Sequence, residues 1–131
     1  VINYRTNSIV LDGVRAQEIK ESLEEYIQEE LGHAALLGQR LKQLGARPPG
    51  SAEFAAKQES LQPPADSTDV LAVIQGVLDA EEGAIATYRR LVDLARAAND
   101  PVTEDLAVEV LADEEAHRTE FRGFETEYRR D

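Results

Sequence analysis

The chain of 131 residues contains only two histidines, His33 and His117, and each has a glutamate three positions earlier, Glu30 and Glu114. Residues three apart on a helix share a face, so a carboxylate and an imidazole at that spacing can hold one metal ion together. Carboxylates are hard anionic donors able to bridge two cations, and neutral imidazole suits iron and neighbouring transition metals. A further carboxylate, Glu81, falls at an inward position of another apolar stripe. Two Glu-x-x-His pairs with additional Glu from facing helices form the donor set of a di-iron or di-manganese carboxylate site.

The pattern is specific. Glu accounts for 17 of the 131 residues, so chance would place one three positions before both histidines about 2% of the time. For a single Glu-x-x-His, a core histidine with satisfied nitrogens, or a helix-surface residue, is the simpler reading. For both histidines together the metal reading prevails. Without a metal, several Glu on a core stripe must neutralise or find partners.

These donors need long helices to carry them. Gly and Pro divide the chain into residues 1–11, about 14–45, about 67–98 and 101–129, with a Pro-, Ser-, Ala- and Gln-rich connection at 48–66. Steps of three and four put Ile19, Leu23, Tyr26, Glu30, His33, Leu37, Leu41 and Leu44 on one stripe. The same spacing aligns Leu71, Ile74, Leu78, Glu81, Ile85, Tyr88, Val92 and Ala95. It also aligns Leu106, Val110, Glu114, His117, Phe121, Phe124 and Tyr128. Strand-like alternation is absent. Asp66 or Ser67 is the expected cap of the third block, and Asp100 with Pro101 opens the fourth. The connection can stretch ~60 Å at ~3.3 Å per residue, so it can join two parallel helices, with at most a helical turn or two within 52–60. The expected fold is all-α: four helices with one long crossover between the second and third. Gly76 and Gly83 are expected to mark close helix–helix approach.

Three segments carry a resemblance to a known family: Glu-Glu-Leu-Gly-His (29–33), Ala-Glu-Glu-Gly-Ala-Ile-Ala-Thr-Tyr (80–88) and Ala-Asp-Glu-Glu-Ala-His (112–117). The chain resembles the ferritin-like superfamily, and bacterioferritin-type proteins most. The resemblance implies the end of helix A at 1–11, followed by helices B, C and D, in a single ferritin-like domain. It also implies that Glu30 and Glu114 bridge two irons, that His33 binds the first, and that Glu81 and His117 bind the second. The remaining ligand of that family, a helix A Glu, would lie upstream of Val1. Glu82, about 100° from Glu81 on the helix, is the weaker candidate for the helix C role. Tyr4, Tyr26 and Tyr88 are either core residues with satisfied hydroxyls, the favoured reading, or partners of ligands or redox-active groups. Asp113 reads as a solvated helix residue, with a hydrogen bond to a His of a neighbouring helix as the alternative.

Departures narrow the expectation. Leu31 stands where bacterioferritins have the haem-binding Met, and the chain has no Met, so Met-ligated haem is not expected. The absence of Cys excludes rubredoxin-like modules and thiol-paired relatives. No room follows helix D for a fifth helix, which speaks against a 24-subunit cage. A net charge of −12 disfavours nucleic acid and anionic membranes as partners. There is no secretory leader and no run of ~18 apolar residues, so a soluble, cytoplasmic homo-oligomer is expected. The leading expectation is a ferroxidase, with two irons per site (manganese suits the same donors) and Fe²⁺ and O₂ or peroxide as partners. The alternatives are a di-metal oxidase, peroxidase or oxygenase acting on another substrate, and a metal-free structural module.

Overall fold

A computed structural model describes residues 1–130. It contains α1 (Ile2–Val10), a single 3-10 turn (Val14–Ala16), α2 (Gln17–Gln43), α3 (Val70–Ala97) and α4 (Pro101–Tyr128), with no strand among the described residues. The second block is therefore a 3-10 turn running into an α-helix. The third helix starts later than expected, because Asp69 rather than Asp66 or Ser67 caps it, accepting from Ala72 N at 3.1 Å. Asp100 caps α4, accepting from Thr103 N at 3.1 Å, with Pro101 behind it.

The helix ends follow local chemistry. At the end of α2, Ala46 N bonds Leu41 O at 2.8 Å and Gly45 N bonds Lys42 O at 3.1 Å. This is the Schellman closure, and it needs the left-handed φ of +87° that Gly45 supplies. Asn99, at φ +53°, closes α3 in the same way.

Cross-links fix the directions. Asp12 N, just before α2, bonds Ser67 O, just before α3, at 2.9 Å, so these two helices start at the same end and run parallel. The pairs Arg15–Tyr128, His33–Asp113 and Arg40–Thr103 advance in opposite senses along α2 and α4, which makes those helices antiparallel. Residues 44–69 span the length of the bundle and carry no helix, so the turns expected within 52–60 do not form. Parallel neighbours cannot be joined by a tight turn, and this long connection is the consequence.

The crossover is pinned where it passes α3. Leu61 is buried with φ +61°, an expensive conformation for a branched side chain. Its carbonyl accepts from Asn7 Nδ2 at 3.0 Å, and its Cα lies 3.0 Å from where a Cβ on Gly76 would stand. Gly76 thus admits the crossover backbone rather than a helix. Gly83 would meet nothing within 4 Å, so it marks no close approach.

Thirteen buried residues, among them Leu11, Ile19, Leu23, Tyr26, Ile74, Val77 and Phe121, form the core at the end where α1 lies. A nine-residue α1 is ~13 Å long beside an α2 of ~40 Å. The described part of α1 does not reach the far part of the α2 stripe. Among the described residues Leu37 is only half-buried, Leu41 is exposed and Leu44 is 57% exposed. That end is held instead by Arg40, whose guanidinium bonds Asp100 and Thr103 at 2.9 Å each. The two Thr103 hydrogen bonds, with Arg40 adding to them, hold the Asp100 carboxyl down at about 2.

Candidate metal centre

Glu30 and His33 sit on α2, Glu81 on α3, and Glu114 and His117 on α4, at one level just above the core. The neighbouring apolar positions pack because each donor occupies its helix's own stripe, so the polar residues are carried inward with them. Glu81 and Glu114 are each 1% exposed, and both histidines are buried. Donor atoms of Glu30, Glu81, Glu114 and His117 all lie within 4.8 Å of one another. His33 closes the group: its Nδ1 is 3.2 Å from Glu114 Oε1 and 3.6 Å from Glu30 Oε1. All five predicted residues are thus brought together.

Their hydrogen bonding is incomplete on the inner side. Glu30 Oε1, His33 Nδ1, Glu81 Oε2, Glu114 Oε1 and His117 Nδ1 are buried without an aligned hydrogen bond. Buried polar atoms are almost always satisfied, and each orphan costs ~1–3 kcal/mol. Five orphans, one from each candidate donor and all facing the same space, suit a cation that accepts their lone pairs. The set of three carboxylates and two imidazoles has the hardness that iron or manganese requires.

Proton affinities show the strain of this packing. Burial, with hydrogen bonds to Glu81 and Glu30 and their charges, pushes the Glu114 carboxyl up to about 11. Burial also acts upward on Glu81, but hydrogen bonds from His117, Glu114 and Tyr4 outweigh it and hold that carboxyl below its ordinary range. Burial opposes the charged form of His117, yet Glu81 and Glu29 overcome it and raise the imidazole. In the metal-free protein Glu81 is the carboxylate and Glu114 keeps the proton.

The outer nitrogens of both rings are held by acids of the opposite helix. His33 Nε2 on α2 pairs with Asp113 Oδ2 on α4 at 2.8 Å. His117 Nε2 on α4 pairs with Glu29 Oε2 on α2. Asp113 is therefore exposed yet bonded to a ring, which corrects its reading as a purely solvated residue. Glu29 was not anticipated at all. Each acid directly precedes the Glu of its own Glu-x-x-His, and the antiparallel register brings it to the other helix's histidine. Such partners fix the ring's tautomer and strengthen it as a donor. Truncating either acid to alanine is expected to weaken metal binding about 10–100-fold with the stoichiometry unchanged. Calorimetric titration checks this, and unaltered affinity in both variants would remove the acids from the site.

Glu82 faces outward and engages Arg118 and Arg122 at 3.2 Å each, which leaves Glu81 as the inward residue of the pair. Tyr4 donates its hydroxyl to Glu81 Oε1, so it does more than fill the core. Tyr26 stacks on the His117 ring, with centroids 3.7 Å apart, and donates to Glu120 Oε1 at 2.9 Å. Tyr88 is half-buried, and burial plus the charges of Glu30, Glu114 and Glu81 raise its phenol to about 12.

A bundle of this topology, with carboxylate and imidazole donors on three helices at one level, has the arrangement seen in ferritin-like carboxylate proteins. The family described as Ferritin, ferritin-like domain, matches residues 1–130, and the chain belongs to it. Among solved structures it is similar to the dodecameric thioferritin of Bacteroides fragilis, a bacterioferritin-related protein. That match has a TM-score of 0.86 at 24% identity, over 98% of this chain and 77% of that one. It is also similar to ferritin-like, diiron-carboxylate proteins from Bacillus anthracis, with a TM-score of 0.78 at 25% identity, over 95% and 83%. No curated protein matches the chain. No helix among the described residues is long and apolar enough to cross a membrane.

Proposed function

We propose that the five donors form a di-iron carboxylate centre that oxidises Fe²⁺ to Fe³⁺ with O₂ or peroxide. The observation that carries this reading is the set of five buried donor atoms, none with an aligned hydrogen bond, converging from Glu30, His33, Glu81, Glu114 and His117. In this reading Glu30 and Glu114 bridge the ions, His33 serves one, and Glu81 with His117 serves the other. Fe²⁺ is the substrate. The protein contributes the anionic bridges, which favour the higher charge of the oxidised ion, and a pocket that excludes most water. The product is stored or passed on, which makes the protein an iron-storage or detoxification ferroxidase. Manganese suits the same donors.

The space beside the donors favours a small oxidant over an organic substrate. A cavity of about 130 Å³, bordered by Asn3, Tyr4, Gln58, Ala80, Ala84, Glu30 and Glu114, reaches the cluster. Sites for drug-sized molecules are ~300–1,000 Å³. A homo-oligomer also fits this reading: Ile9, Leu31 and Val102 stand exposed, and a similar structure is described as dodecameric. Native mass measures that directly.

Anaerobic Fe²⁺ titration tests the centre. The expected result is two ions per chain, with about one proton per chain released from Glu114 at pH 7, since metal must displace it. Binding accordingly tightens as pH rises from 6 to 8. Admission of O₂ then gives prompt oxidation without an added organic substrate. A chain that takes up no iron, with proton release absent, refutes the reading.

A further inference from the structure

We propose, on the di-iron reading above, that Arg118 is a positioning residue: it holds Glu82 and Glu115 outside the metal centre, so that Glu81 and Glu114 are the carboxylates that bind. Glu81–Glu82 and Glu114–Glu115 are adjacent acidic pairs, and neighbours on a helix stand about 100° apart. The apolar stripe turns the first member of each pair inward, leaving Glu81 and Glu114 each 1% exposed. The second member stands one residue outside, with the same hard donor group on the same flexible stem. A divalent cation attracts both, so the placement of the competitor matters as much as that of the ligand.

Arg118 engages both competitors. Its Nη1 donates to Glu82 Oε1 at 3.2 Å and to Oε2 at 3.3 Å, reaching from α4 to α3. Its Nη2 is 3.9 Å from Glu115 Oε1, one turn back on α4. Arg122 and Arg89 extend the line on either side: Arg122 Nη2 lies 3.2 Å from Glu82 Oε1, and Arg89 Nη2 lies 2.9 Å from Glu115 Oε1. These outer two are ordinary surface partners, with side chains 61% and 59% exposed. Arg118 is not. Its side chain is 18% exposed, and its Nε is buried without a hydrogen-bond partner. Stability gives no reason for that arrangement, because ion pairs with exposed carboxylates add little and an unpartnered buried donor is a cost. A planar fork that reaches carboxylates on two helices is what a positional role requires.

The other acids beside the ligands are engaged as well. Glu29 and Asp113, which precede Glu30 and Glu114, are taken by His117 and His33. Every acid adjacent in sequence to a candidate ligand therefore has a partner that keeps it from the ions. Without Arg118, only the solvated Arg122 and Arg89 restrain Glu82 and Glu115, and such pairs hold weakly. The freed carboxylates then compete for the metal, and the centre populates more than one ligand set.

The test titrates the full chain with Mn²⁺, whose coupled pair is read by electron paramagnetic resonance, and records thermal unfolding of each metal-free variant. The parent and Glu82→Gln are expected to bind two ions per chain with one coupled signal. In Arg118→Met the second ion should bind about 10-fold more weakly, and the signal should split into more than one species. Adding Glu82→Gln and Glu115→Gln to Arg118→Met should restore a single species, because the competitors are gone. Arg118→Lys keeps the charge but not the fork, so it should fall between the parent and Arg118→Met. An Arg118→Met chain (or, if that variant does not fold, an Arg118→Lys chain) with parental affinity and a single signal overturns the proposal. Heterogeneity that persists in the triple variant overturns it too, and makes Arg118 a packing residue only. A parent that binds neither Mn²⁺ nor Fe²⁺ overturns the di-iron reading beneath it.

Discussion

Replacing Glu114 by leucine is expected to raise the thermal midpoint of the metal-free protein while abolishing two-metal binding. Glu114 is 1% exposed, one of its oxygens has no partner, and burial keeps it protonated at neutral pH. Removing this buried, neutral and only partly hydrogen-bonded carboxyl relieves more than it costs when an apolar residue of similar volume fills the space. Replacing a whole buried charged cluster by apolar residues is neutral or stabilising by ~1–4 kcal/mol, and the removal of the neutral Glu114 alone likewise leaves no uncompensated charge behind. For a chain of this size each kcal/mol is worth roughly 3–5 °C. The parent should regain its advantage when Fe²⁺ is present, since a ligand that binds only the folded state stabilises it by mass action. Calorimetric melting with chelator and with Fe²⁺ gives both halves of the result. A structural carboxylate would behave oppositely: the variant would melt lower in chelator by the ~1–3 kcal/mol that a broken buried network costs. Paired with unaltered metal uptake, that outcome would favour the metal-free structural module.

The metal-free protein should also lose stability as pH rises from about 7 to 10. In that window the unfolded Glu114 has given up its proton, whereas the folded protein still retains it, its carboxyl standing at about 11; the upward shift of His117 acts in the same direction. The unfolded state then binds fewer protons, so stability falls with pH. Glu81 is lowered, so it is ionised in both states throughout this window and leaves the slope unchanged. Iron displaces the proton retained on Glu114 and should flatten the dependence.

The contrast between what the sequence made legible and what it hid follows from the physics of periodicity. Three-and-four spacing says which residues share a face, and it placed Glu30, His33, Glu81, Glu114 and His117 on their stripes without reference to any neighbour. It does not say whether another helix covers that face. Leu41 and Leu44 continue the α2 stripe faithfully and yet lie exposed among the described residues. Nor does it report inter-helix register. Glu29 and Asp113 point away from their own helices' stripes, and only the antiparallel offset of α2 and α4 turns them onto each other's histidine partner. A usable signal was present: an acid immediately before the Glu of both Glu-x-x-His pairs. The repetition of that offset in two segments is what a solvated residue has no reason to show. Gly76 was hidden for a different reason, since its partner is a loop residue, Leu61, whose path no helical period describes.

The second large effect lies beneath the site. Phe121→Ala is expected to destabilise the metal-free protein by about 3–5 kcal/mol, the range for emptying an aromatic position in a packed core. Phe121 is 0% exposed, and one helical turn separates it from His117 on the same face of α4. Its ring lies 5.4 Å from Tyr26 and meets Phe124 edge-on at 5.2 Å. No neighbouring chain segment is free to collapse into the gap, because Tyr26 is fixed by Glu120 and by its stack on His117. A loss of that size approaches the whole stability of a small domain, ~5–15 kcal/mol. Phe124, half-buried at the margin, should cost much less when truncated, and Phe121→Leu should lie between the two. Urea unfolding in chelator ranks the three variants. The packing also predicts a second consequence: with its support gone, the Tyr26 ring loosens, His117 loses one face of its cage, and iron binding weakens in Phe121→Ala but not in Phe124→Ala. A Phe121→Ala variant as stable as Phe124→Ala would place the core elsewhere and detach the site from it.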